Sequence, residues 1–112
     1  MYYITVVCLN NCRYSESAKE LLKKKGIKSK IIQVQYNDKD KYKSNAISTF
    51  PQVYLKKENS KGSLLLGGYS DLKKALTITQ GKNINNVTKK FQKAFPEWSK
   101  KAIYRFVEII NK

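Results

Sequence analysis

The first apolar stretch, Tyr2 to Cys8, is β-branched and aromatic without alternation, the pattern of a buried strand. Leu9, Asn10 and Asn11 read as a loop. From Arg13 to Lys25, Ala18, Leu21 and Leu22 share one helical face, with Tyr14 a turn earlier, and lysines with Glu16 and Glu20 take the other. Gly26 stands where a helix closes at C′. "KSKIIQVQY" alternates as a strand does, and "NDKDKYKSNAIS" predicts a short, weak helix capped by Asn37 or Asp38. "TFPQVYLKK", opened by Pro51, and "SLLLGG" flank the turn "ENSKG" and predict an antiparallel hairpin of residues 52–57 and 63–66. "SDLKKALTITQG" predicts a helix capped by Ser70 or Asp71 and ended at Gly81. The order is β-α-β-α-β-β-α, an α/β chain whose first three elements form a right-handed parallel crossover.

After Gly81 the pattern changes. "KNINNVTKKFQKAF" is a basic helix candidate. "PEWSKKAIYRFVEIINK" is a stronger one, with Pro96 in its first turn and Trp98, Ala102, Arg105, Phe106 and Ile109 on one face, Ile103 and Ile110 beside it. Residues 1–80 therefore read as the main domain. Residues 81–112 read as a C-terminal helical extension packed on that domain. A chain of 112 residues can bury a core without staples. No apolar run approaches a membrane span, and "MYYITVVCL" reads as a strand and not a signal peptide. Two cysteines so close in sequence would close only a tiny loop, a poor structural staple. A reducing, cytoplasmic compartment is the expectation, which makes "NVT" a chance match to a glycosylation acceptor.

Charge adds a second theme. Basic residues number 23 against 8 acidic, a net +15. Such an excess attracts acidic partners such as nucleic acid. Yet Arg13 and Arg105 are the only arginines, and base readers favour arginine's bidentate fork. A lysine–asparagine–isoleucine bias is also what AT-rich coding produces unselected. Nucleic-acid binding is accordingly expected to be weak and non-specific.

The chemistry centres on Cys12. A thiol at a helix N-terminus meets backbone N–H groups and a helix dipole that favour the thiolate, the species that attacks disulfides. Arg13, Lys19 and the overall positive field act in the same direction. Taken alone, Cys12 fits a merely tolerated cysteine equally well. Cys8, at a strand end, reads as the less exposed of the two, either a buried small side chain or a resolving thiol. With no histidine in the chain, no metal site is expected.

Three motifs in order, "CRYS", "TFPQVYL" and "GGYSDL", resemble the glutaredoxin family over roughly residues 1 to 80. The resemblance implies a thioredoxin-like three-layer fold of order β-α-β-α-β-β-α with an added C-terminal helical segment. It implies a glutathione-dependent thiol–disulfide oxidoreductase that deglutathionylates mixed disulfides, with glutathione as co-substrate and glutathionylated or disulfide-containing proteins as partners. Cys12 matches the nucleophile, and Tyr14 the motif tyrosine that lines the glutathione groove. Thr49 and Phe50 precede Pro51, which matches the family's cis-proline, and the Phe50 backbone would pair with the glutathione cysteine. Ser70 and Asp71 match the helix start that holds the γ-glutamyl end; simple helix capping is the plainer use of both.

Departures from the pattern shape the expectation. Ser15 replaces a second cysteine, implying a monothiol site, and Arg13 replaces the motif proline. Leu9 and Ser48 stand where the family often places side chains for the glycyl carboxylate, leaving Arg13 or a lysine from 39 to 43 as substitutes. The Cys-Gly-Phe-Ser motif of cluster-assembling relatives is absent. The contrasting reading is a thioredoxin-fold scaffold whose basic surface binds nucleic acid or an acidic protein.

Overall fold

The computed structural model describes residues 1–111. β1 spans Tyr2–Leu9 and has five successive buried residues, Ile4 to Cys8, as its unbroken apolar run requires. It lies inside a four-stranded sheet of order β2-β1-β3-β4. β2 (Lys30–Val34) pairs with β1 in parallel, reached through α1 (Arg13–Lys24). β3 (Gln52–Lys57) runs antiparallel to β1, and β4 (Ser63–Gly67) antiparallel to β3. Both halves of the expected hairpin are present, and α1 ends as expected, with Gly26 at φ 68 just past its C-cap. α2 covers Tyr69–Ile78. This mixed α/β arrangement is thioredoxin-like.

Alternate positions of β1 face opposite sides of the sheet. Ile4, Val6 and Cys8 join one apolar cluster with Ala18 and Leu22 of α1, Val53 and Leu55 of β3, and Leu72, Ala75 and Leu76 of α2. Thr5 and Val7 face the other side, opposite Tyr54 and Gln52 of β3. There the expected second α-helix is a 3₁₀ helix, Tyr36–Tyr42, preceded by Gln35; neither Asn37 nor Asp38 caps it. The segment "YNDKDKY" has no apolar stripe to bury, and its residues are all exposed or partly so. Lys41–Asp38 (3.1 Å) and Lys43–Asp40 (3.2 Å) pair at i,i+3, the spacing that eclipses in a three-residue turn. Buried Gln52 fastens the segment by donating to the Tyr42 carbonyl at 2.8 Å while accepting from the Tyr54 hydroxyl at 2.8 Å. The third layer is thus a seven-residue 3₁₀ helix.

The chain after Gly81 forms α3 (Ile84–Ala94) and α4 (Lys100–Ile110). Phe91, Trp98, Ile103 and Phe106 enter the same cluster as Ile4 and Val6. Phe91 stacks at 4.8 Å on Phe95, 5.1 Å on Trp98 and 5.6 Å on Phe106. The Trp98 indole N–H donates to the Leu65 carbonyl of β4 at 3.1 Å, tying this segment to the sheet. Pro96 is not in the first turn of α4: a turn of residues 96–97 intervenes, and Ser99 caps the helix by accepting from the Ala102 N–H. Trp98 therefore packs from before the helix, while Arg105 lies half-exposed beside Glu108. Thr88 of the "NVT" triplet is buried and bonded to the Ile84 carbonyl.

Candidate functional site

The site begins where β1 ends. The Asn10 N–H donates to the Val34 carbonyl, and Asn11 takes a left-handed conformation at φ 62, which asparagine tolerates. That reversal brings Cys12 to the N-cap of α1, its backbone extended and its carbonyl accepting from the Glu16 N–H. The thiol makes no capping bond. It faces the Phe50 carbonyl at 3.9 Å instead, half-buried, so residues 38 apart in sequence meet. The Phe50–Pro51 bond is cis, and Pro51 is buried beneath it.

Phe50 leads into a groove of about 620 Å³. One wall is the loop Ser44–Phe50, which Ser44 stiffens by accepting from the Ala46 and Ile47 N–H groups at 3.2 Å each. The other is the turn into α2, from Gly67 to Asp71. Tyr14 lines it from α1, its ring 6.2 Å from that of Tyr69. Gly67 sits at φ 135, and a Cβ there would overlap the Asp71 carboxylate. That carboxylate accepts from the Gly68 N–H at 3.1 Å.

Tyr14, Thr49, Phe50, Ser70 and Asp71 therefore line one groove, with Pro51 behind it and Cys12 at Phe50. The cap of α2 differs from the expectation. Gly68 is the N-cap of α2, and Ser70 and Asp71 fall inside its first turn, because the Asp71 side chain reaches back one turn to the cap N–H. Arg13, Lys41 and Lys43 are exposed and Lys39 is half-exposed, and none of the four lines the groove. Arg13 is the first residue of α1 and extends into solvent; Lys41 and Lys43 pair with their own segment's aspartates. Tyr69 and residues 44–47 also line the groove, where they were not expected, and they join Ser48 there. The tyrosine next to Ser70 in "GGYSDL" and the turn-forming Ser-Asn pair were the available signals.

The second thiol has a different setting. Cys8 is fully buried, and its S–H faces the Ser15 carbonyl at 3.9 Å. Burial pushes its pKa from 9.0 up to about 11, with Lys19 opposing the shift. Ser15 is equally buried, and its hydroxyl accepts from the Leu9 N–H at 3.0 Å. The residue in the second-cysteine position thus holds the strand-to-helix turn.

A family model described as Glutaredoxin matches residues 1–59, more than half of the 112-residue chain. The matched region carries the cysteine turn, the crossover and the cis-proline strand. The chain belongs to the glutaredoxin family, a family of thiol–disulfide oxidoreductases with a thioredoxin-like fold. A search of curated proteins returns no match.

Proposed function

We propose that the chain is a glutathione-dependent thiol–disulfide oxidoreductase that removes glutathione from mixed disulfides through Cys12. The observation that supports this most is the meeting of a helix-capping thiol with the backbone of a cis-proline turn, beside a groove of peptide size. The Cys12 thiolate attacks the glutathione sulfur of the mixed disulfide. A Cys12–glutathione bond forms, the target's sulfur leaves with the electron pair and takes up a proton. A second glutathione thiolate then attacks that adduct, releasing oxidised glutathione and the Cys12 thiolate. One protein cysteine suffices, consistent with Ser15 serving the turn.

In this reading Thr49 and Phe50 offer main chain for strand-like pairing with the glutathione cysteine. Tyr14 and Tyr69 supply an aromatic wall. The γ-glutamyl carboxylate meets the first turn of α2 near Ser70, where backbone N–H groups and the helix dipole favour an anion. Asp71, bonded to Gly68 through one oxygen, has a second for the γ-glutamyl ammonium. The glycyl carboxylate finds no arginine or lysine in the groove lining. Long-range attraction by the net +15 compensates in part, so the KM for glutathione rises with salt. Reduced glutathione at millimolar level, as in a cytoplasm, suits such weak local binding.

A glutathione-reductase-coupled assay on hydroxyethyl disulfide tests the proposal. Turnover well above the free-thiol background is expected, abolished by Cys12→Ser and mostly retained by Cys8→Ser. Wild-type turnover at background would sink the reading. Activity that survives Cys12→Ser and dies with Cys8→Ser would show the wrong nucleophile.

A further inference from the structure

At the other end of β1, about 23 Å away along the strand at a rise of about 3.3 Å per residue, lies a second concavity. It encloses about 490 Å³ between the start of β1, the end of β3 and α4. Tyr2 lines it together with Lys57, Lys101, Arg105, Glu108 and Ile109. Lys57 Nζ and Arg105 Cζ each stand 5.8 Å from the Tyr2 ring centroid, within cation–π range. Among the described residues Glu108 is the only carboxylate in the lining, and it accepts from Arg105 at 3.2 Å. Among the described residues, Lys57 and Lys101 have no carboxylate within ion-pair distance. The cationic side chains of Lys57, Lys101 and Arg105 outnumber the one carboxylate among the described lining residues.

The position of Lys101 sharpens the point. It lies with Lys100 in the first turn of α4, where no acidic residue is present. A helix N-terminus already carries partial positive charge, so lysines there are electrostatically unfavourable. Lys57, Arg105 and the Tyr2 cleft converge on the same region. The positive potentials add, and a bound anion would relieve them all at once.

The geometry points to a second ligand site: the Tyr2 cleft binds a small polyphosphate anion through Lys57, Lys101 and Arg105, independently of the Cys12 groove. A diphosphate or triphosphate group spans several cations in one cleft of this size, whereas a single carboxylate satisfies one. The Tyr2 ring adds a surface on which an attached base can stack.

The test is an amide-shift NMR titration of the full chain, at physiological salt, with tripolyphosphate, ATP and adenosine. Both phosphate probes are expected to shift Tyr2, Lys57 and Lys101 amides and to leave Tyr69 and Ser70 unmoved. Lys101→Gln with Arg105→Gln should weaken binding at least about tenfold. Lys89→Gln with Lys90→Gln removes the same charge from exposed positions of α3 outside the cleft and should change it less than about twofold. Equal affinity for ATP and tripolyphosphate identifies the phosphate chain as the ligand; tighter ATP binding identifies a nucleotide. Equal losses in the two double variants would reduce the site to generic charge and overturn the proposal. So would adenosine binding as tightly as ATP, or shifts confined to the Cys12 groove. All four cations are exposed or half-exposed, so the variants should keep native amide dispersion and full Cys12-dependent turnover.

Discussion

Cys8 should make folding stability depend on alkaline pH, with a sign fixed by its burial. The side chain has no exposed surface, and its thiol stays protonated up to about 11, against 9.0 for an ordinary cysteine. Between those two values the unfolded chain has released the Cys8 proton and the folded chain still holds it. The unfolded state then binds fewer protons, so stability falls as pH rises. The contribution is fully present below 9.0 and lost as pH passes through about 11. Two pH units at about 1.36 kcal/mol each amount to about 3 kcal/mol. Cys8→Ala removes that term and, at neutral pH, costs about 1–2 kcal/mol for the lost sulfur packing. Urea unfolding of both proteins at intervals across the alkaline range is the assay. Lysines and tyrosines titrate in both, so the difference isolates Cys8. The gap between the two stability curves should close as pH rises above 9.0 and reverse, by about 1–2 kcal/mol in favour of Cys8→Ala, once pH exceeds about 11. A constant gap would refute the claim that burial sets this thiol's protonation.

Ser15→Ala leaves the half-buried Leu9 N–H without the Ser15 acceptor and should cost about 1–3 kcal/mol in urea unfolding. Ser15→Thr, which keeps a hydroxyl, should cost less if its methyl fits, and equal costs would discount the hydrogen bond. Gly67→Ala puts a Cβ on the Asp71 carboxylate at φ 135 and should cost about 1–3 kcal/mol while weakening glutathione binding. An unchanged Tm and KM would contradict the described turn. Trp98→Phe keeps an aromatic beside Phe91 but loses the bond to Leu65, which also lines the groove, and should cost about 1 kcal/mol beyond packing changes. No loss of stability would show that this bond does not hold the C-terminal helices to the sheet.

Elements defined by local pattern were legible in the sequence. The unbroken run Ile4–Cys8 reads as a central strand because both its faces are covered, and Gly26 marks the end of α1 because only its conformation fits there. The 3₁₀ helix at Tyr36–Tyr42 was not, because Asn37 and Asp38 are residue types that cap α-helices yet cap nothing here, and the i,i+3 ion pairs emerge only once the backbone tightens. The same division holds at the site. Cys12 and Pro51 are visible as a helix start and a strand start, and the fold brings their neighbourhoods together. The Tyr14–Tyr69 wall joins two helices 55 residues apart, a contact that no local spacing encodes. Ser15 was legible only as a missing cysteine; its service to Leu9 depends on how the turn through Asn11 curls.

In the proposed cycle Cys12 alone carries the exchange while Cys8 stays buried. Its most direct test is peptide-level mass spectrometry of the wild-type chain, acid-quenched during turnover of a glutathionylated peptide. One glutathione adduct on Cys12 is expected, with Cys8 recovered as a free thiol after denaturation. A Cys8 adduct, or an intramolecular Cys8–Cys12 disulfide two hydrogens lighter than the reduced chain as the main trapped species, would contradict it.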